Sequence, residues 1–218
     1  RNARIAQEAA AAALKDKDLD VARAAAGCLG ALGGAPALAK LTETLDSQKT
    51  SVKLRLTVVE SLLRGAAVTA PSDPAAAGAY TRLTDTTEDA NIRAAALCGL
   101  IRLDPERNAF MLAGAITGFD AQKRKAALNL ARILPPEAVT LSLCRALPDM
   151  PDERRAQVVA VLADRADPAA APHVYPLLAA PALPVRLAAI TALGVLGDGA
   201  AVPPLVKKLS AKPEEAGA

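Results

Sequence analysis

Four arginines, Arg93, Arg124, Arg155 and Arg186, stand at equal intervals of 31 residues. This register constrains the fold more than any other feature, because a fixed period of about 20–50 residues signals stacked copies of one supersecondary unit. Each arginine opens a stretch of small and apolar residues at helical spacing. Ala95, Ala96 and Leu100 follow Ile92 and Arg93; Ala126, Ala127 and Leu130 follow Arg124; Val158, Val161 and Leu162 follow Arg155. After Val185 and Arg186 come Leu187, Ala188, Ala189, Ile190, Thr191, Ala192, Leu193 and Gly194. Two further copies lie upstream. Arg55 with Leu56, Val58 and Leu62 stands 38 residues before Arg93, and Ala22 with Ala24, Ala25, Leu29 and Gly30 stands 33 before Arg55.

A second apolar stripe follows each anchor stretch: Leu38, Leu41 and Leu45; Leu112 and Ile116; Leu143 and Leu147; Val174 and Leu178; Val202, Leu205 and Leu209. Spacings of three and four put each set on one helical face. Turn signals separate the stripes at Gly33-Gly34, Asp104-Pro105, Pro135-Pro136, Asp167-Pro168 and Asp198-Gly199. Pro36, Pro172 and Pro203 fall near second-helix starts, where a first-turn amide has no intrahelical partner to lose. The surplus in the 38-residue interval is expected in a longer loop over residues 65–74, which are rich in Ala and Pro. From Leu147 to Arg155 and from Leu178 to Arg186 is eight residues, as it is from Leu14 to Ala22. Residues 3–15 therefore read as the second helix of a repeat whose first helix is missing. The spacing predicts an all-α solenoid of antiparallel helix pairs with about 31 residues per repeat. Half a repeat and six complete ones, 13 helices, fill a single domain over residues 1–210. Residues 211–218 form a polar tail or linker, and the whole reads as an excerpt of a larger protein.

Composition agrees. Hydrophobic residues make up 52% of the chain and aromatics only 2%, so the core must be built from Ala, Leu, Val and Ile. Alanine is the best helix former, and small side chains let helices approach closely. The formal charge is only +3, with 26 basic against 23 acidic residues, which argues against a nucleic-acid binder. No apolar run is long enough for a membrane span. Three cysteines, Cys28, Cys98 and Cys144, fall on helices of different repeats with no CxxC and are expected to act as small buried hydrophobes.

The segment from Val185-Arg186 to Ala192-Leu193-Gly194-Val195-Leu196-Gly197 resembles the HEAT-like repeats, in particular the short bacterial kind first associated with phycobilisome lyases. Their motif runs Asp, Val-Arg, Ala-Ala, then Ala-Leu-Gly-x-Leu-Gly; Leu29-Gly30-Ala31-Leu32-Gly33 is similar to its second half. The leading Asp is absent before Val185, and Ala131-Arg132 replace Leu-Gly in the fourth repeat. The resemblance covers about residues 3–210. It implies a right-handed superhelix whose second helices line the concave face.

Candidate residues follow. Arg55, Arg93, Arg124, Arg155 and Arg186, with Asp89, Asp120 and Asp152 ahead of three of them, read either as a basic stripe for phosphate or as a structural ladder. In the ladder, Asp caps a first helix and Arg bonds to the adjacent repeat, as the resemblance also implies. Lys40, Glu43, Arg82, Arg145, Lys207 and Lys208 are candidates for interaction on the concave face. His173 is the only histidine, so no multi-histidine metal site can form, and no P-loop, GxSxG or dinucleotide fingerprint occurs. No cofactor or metal is expected. The function expected is a non-catalytic protein-interaction scaffold, its partner a separate protein or an adjacent domain of the parent chain. Two alternatives stand beside it: an accessory domain of an enzyme or a bilin-lyase-like cofactor handler, and a nucleic-acid-binding solenoid. HEAT-like repeats also occur in an iron-dependent hydroxylase, which needs several His and Glu ligands, and in DNA glycosylases that use Trp; this chain has one His and no Trp.

Overall fold

The computed structural model describes residues 2–47, 50–84 and 88–197, without the side chains of 136–138. Among these residues there is no strand. The chain divides into two compact units, Arg1–Asp104 and Pro105–Ala218.

In the first unit, α1 (Asn2–Ala13) precedes the helix pairs α2 (Leu19–Leu32) with α3 (Gly34–Asp46) and α4 (Val52–Val68) with α5 (Pro74–Leu83), and α6 (Ala90–Leu103) follows. First helices stack on first helices, α2 on α4 and α4 on α6, while α1, α3 and α5 form the second layer. The second unit opens with two short helices, α7 (Pro105–Asn108) and α8 (Phe110–Thr117). Then come α9 (Ala121–Ile133), α10 (Pro136–Ala146), α11 (Asp152–Arg165), α12 (Ala171–Val174) and α13 (Leu183–Leu196). Here α9, α11 and α13 stack in sequence. Each unit is a stretch of all-α solenoid built from helix pairs. The last expected second helix, with Val202, Leu205 and Leu209, and the tail beyond it lie outside the described residues.

Why these segments are helices is visible at their starts. The residue four before each register position is the N-cap: Asp18, Ser51, Asp89, Asp120, Pro151 and Ala182. The side chains of Asp18, Ser51, Asp89 and Asp120 accept backbone N–H bonds from the first turn, each worth about 1 kcal/mol. Behind the caps, one face of each helix is buried. Leu29, Leu38, Leu41, Leu45, Leu62, Leu83 and Ile101 are the largest fully buried side chains of the first unit, and Leu112, Ile116, Leu143, Leu162 and Leu193 of the second. Each contributes roughly 1.5–3 kcal/mol by leaving water. Beside these, the first helices bury small residues: Ala22, Ala26, Ala96, Ala127, Ala131, Ala189 and Ala192. That is where the alanine-rich composition goes.

Among the described glycines within helices, two make the closest approaches. A Cβ on Gly30 of α2 would lie 2.6 Å from the Ser61 carbonyl oxygen of α4. A Cβ on Gly99 of α6 would lie 2.2 Å from the Tyr80 ring of α5, so the absent methyl is the space that the buried Tyr80 fills. Burial pushes the Tyr80 hydroxyl pKa up, against the opposing charge of Arg102.

Three expectations are corrected. The surplus residues near 65–74 are not all loop: α4 runs on through Val68 for 17 residues, against 14 in α2 and α6. Gly65 stays helical because it faces Leu38 and Gly30 at close range, and Ala66 is fully buried. The helix ends only at Thr69, whose hydroxyl donates to the Gly65 carbonyl at 2.6 Å and accepts from the Gly34 N–H at 2.8 Å. Second, the Val174 and Leu178 stripe is not one regular helix. Residues 168–170 and 175–179 are 3₁₀ turns on either side of α12, because Pro172 and Pro176 remove N–H donors from so short a segment. Third, Cys28 is exposed; Cys98 is half-buried and Cys144 buried.

Candidate functional site

The arginine register resolves into one recurring contact. Each guanidinium reaches back to carbonyls at the end of the preceding second helix or in the turn after it. Arg55 Nη1 donates to the Leu45 carbonyl at 2.8 Å. Arg93 Nη1 donates to the Glu88 carbonyl, and Arg124 Nη1 to that of Gly118 at 3.1 Å. Arg155 gives three such bonds, to Leu147 at 2.9 Å, Pro148 at 3.1 Å and Met150 at 2.8 Å. Arg186 Nη1 donates to Ala180 at 2.9 Å and Pro181 at 2.7 Å. These are the acceptors that a helix end and a tight turn leave unsatisfied.

The acidic partners divide. Asp89 and Asp120 cap α6 and α9 through their side chains. Asp152 does not cap: Pro151 takes that position, so Asp152 becomes the first helical residue and accepts from Arg155 Nη1 at 2.9 Å. Position relative to Arg shows the reason, since Asp152 precedes its arginine by three residues rather than four.

The interaction candidates are not gathered into one site. Lys40 and Glu43, on α3, bond to each other at 2.7 Å and are both exposed. Lys40, by hydrogen bond and by charge, holds the Glu43 carboxyl below its usual pKa, with help from Lys15. Arg82, on α5, donates to Asp46 at 2.8 and 2.9 Å and to Glu88 at 3.4 Å. Glu88 is buried and also receives Arg55 Nη2 at 2.7 Å, so Arg82 belongs to a network that ties neighbouring helix pairs. Lys207 and Lys208 lie outside the described residues. Glu43 lines a cavity of about 890 Å³ where α2, α3 and α4 meet, and Arg145 stands in a groove of the second unit.

That groove, about 700 Å³, runs in the second unit between α7–α8 and α10. Its apolar walls are Phe110, 68% exposed, and Leu141, 43% exposed, over a floor that includes Ala109 and Ala113. Glu106, Arg107, Ser142 and Arg145 supply its polar atoms. Arg145 is exposed and makes no hydrogen bond or ion pair with any described residue. The sequence signal for the two apolar residues is their phase. Phe110 stands two positions before buried Leu112, and Leu141 two before buried Leu143, so neither can join the buried face of its helix.

The remaining reactive groups are placed apart. Burial pushes the Cys144 thiol up to about 11, with a smaller push from the Asp167 charge, and also raises Cys98. His173 is exposed on α12. Among the described residues no cluster of three or more His, Cys, Asp and Glu side chains is arranged to hold a metal ion. No helix among them is long and apolar enough to cross a membrane.

Residues 140–216 match the family model described as HEAT repeats. No curated protein matches the sequence. Among solved structures the chain is similar to human deoxyhypusine hydroxylase, with 18% identity and a TM-score of 0.43 over 96% of this chain and 80% of that one. It is similar to a designed armadillo repeat protein, with 18% identity and a TM-score of 0.41 over 86% and 98%. An engineered protein gives 18% identity and a TM-score of 0.44 over 97% and 66%. Likenesses of this extent carry no functional information. The match to HEAT repeats covers residues 140–216, and the helix-pair register runs through the described residues of both units, as in an all-α helical repeat chain.

Proposed function

We propose that the chain is a non-catalytic protein-interaction scaffold that engages its partner through the exposed face of its second helices. One observation carries this reading: the groove between α7–α8 and α10 holds two large exposed apolar side chains beside a cation that bonds to no described residue. Scattered exposed apolar residues are ordinary on a soluble surface. Two that wall one groove, with polar groups at its edge, have the composition of an interaction site with an apolar centre and a polar rim. The arginine register argues against the phosphate-stripe alternative, since its guanidinium groups are spent on backbone carbonyls.

Site-specific photocrosslinking tests the proposal. A photoreactive amino acid is placed at Phe110 or Leu141, and for comparison at exposed Leu56 and Leu187 on first helices. The expected result is a discrete crosslinked protein from the groove positions that competes away with unlabelled chain. Crosslinks confined to the first-helix positions would refute it.

A further inference from the structure

We infer that the groove of the second unit takes a short acidic segment of a partner protein, with a carboxylate on Arg145 and a bulky apolar side chain between Phe110 and Leu141. This rests on the reading of the groove as an interaction site and adds the chemistry of its occupant.

Charge complementarity carries the step. Glu106, Arg107 and Arg145 are the charged residues that line the groove, and their formal charges sum to one positive charge. Arg145 is exposed and bonds to no described residue. Anything that covers Phe110 and Leu141 strips part of its water away. A neutral apolar occupant would leave a partly desolvated guanidinium without a partner, which offsets part of what the covered apolar area returns. A basic occupant would add repulsion. A carboxylate instead meets the planar guanidinium in the bidentate geometry that makes such pairs strong and directional. The apolar requirement is independent of this. Phe110 and Leu141 stand on separate helices and line one groove, so an aliphatic or aromatic side chain seated there meets apolar surface. The volume of about 700 Å³ admits a short segment and not a folded domain. Ser142 adds a hydroxyl able to donate or accept at the same wall.

The experiment is selection of displayed random short peptides against the complete chain. Enriched sequences are then made with a fluorescent label and titrated by anisotropy. The expected peptides carry Asp or Glu within a few positions of Leu, Ile or Phe. Arg145→Glu should weaken them about tenfold or more, as charge reversal turns an exposed attraction into repulsion. Phe110→Ser should weaken them as well, and raised salt should weaken binding to the native chain but not to the Arg145 variant. Both substituted side chains are exposed, and circular dichroism reports whether the variants keep their helices. Peptides that depend on Phe110 but are neutral or basic, and are indifferent to Arg145→Glu, would overturn the acidic-segment inference and leave the groove as an interaction site. Failure to recover any peptide sensitive to Phe110→Ser would overturn both.

Discussion

The crossing of α2 and α4 offers a test in which one helix contains its own control. Gly27 and Gly30 both lie in α2. A Cβ at Gly27 would meet nothing within 4 Å, whereas one at Gly30 would lie 2.6, 2.8 and 2.9 Å from the carbonyl oxygen, Cα and Cβ of Ser61. Ordinary contacts of this kind are about 3.3–3.6 Å, so the shortfall is roughly 0.7 Å or more. Two of the three atoms are backbone and cannot rotate aside, so α2 and α4 must part, loosening fully buried Val58 and Leu62. Overpacking of this sort costs about 1–3 kcal/mol. Replacing glycine by alanine within a helix returns about 0.5–1 kcal/mol. Gly27→Ala should therefore stabilise by about 0.5–1 kcal/mol, and Gly30→Ala should destabilise by about 1–2 kcal/mol. Gly65→Ala should cost less than Gly30→Ala, because its nearest neighbour is the tip of the Leu38 side chain at 3.0 Å. The chain has no Trp, so urea titrations are best followed by far-ultraviolet circular dichroism. Equal midpoints for Gly27→Ala and Gly30→Ala would refute the close-crossing argument.

Ala166 ends α11 in the left-handed region at φ 50° and is exposed; Ala166→Gly should raise the denaturation midpoint by the equivalent of about 0.5–1 kcal/mol. Arg155 satisfies three turn carbonyls where Arg124 satisfies one, so Arg155→Ala should cost about 2–3 kcal/mol and Arg124→Ala about 1 kcal/mol in thermal or urea melts. Equal losses would show that the bonds do not set the stability. With its pKa raised to about 11, the Cys144 thiol is ionised to only roughly one part in a thousand at pH 8, while Cys28 is exposed. A thiol reagent should modify Cys28 rapidly and Cys144 only on unfolding, as peptide mapping would show.

What was legible in the sequence was whatever repeats. The 31-residue register located the first helices, and the eight-residue step to the next arginine located the turns, because backbone geometry fixes both for every copy. What departs from the repeat was misjudged. Residues 65–68 carry loop-like composition, yet close packing of Gly65 against Gly30 and Leu38 keeps them helical, and that contact comes from a helix far away in sequence. Arg82 had the charge and position of an interaction residue, but its partner Asp46 is 36 residues distant. Phe110 and Leu141 stand out of phase with the Leu112–Ile116 and Leu143–Leu147 stripes, and a stripe by itself does not mark the apolar residues left off it.

The arginine clamp also divides the edges of the second unit by how much change in length they can absorb. From Ile116, Leu147 and Leu178 to the next arginine is always eight residues. An added residue in such a turn would carry the carbonyls of Gly118, Met150 or Pro181 out of register with the guanidinium that serves them. The junction between α9 and α10 is held in another way, by Arg165 of α11, which donates to the Ala131 carbonyl and to Thr140 Oγ1 at 3.3 Å. In the first unit part of the surplus length was taken up at the far end of α4. Anyone inserting a tag, a protease site or new chain termini would therefore avoid the arginine-clamped turns. That edge acts as a gauge that accepts a single length.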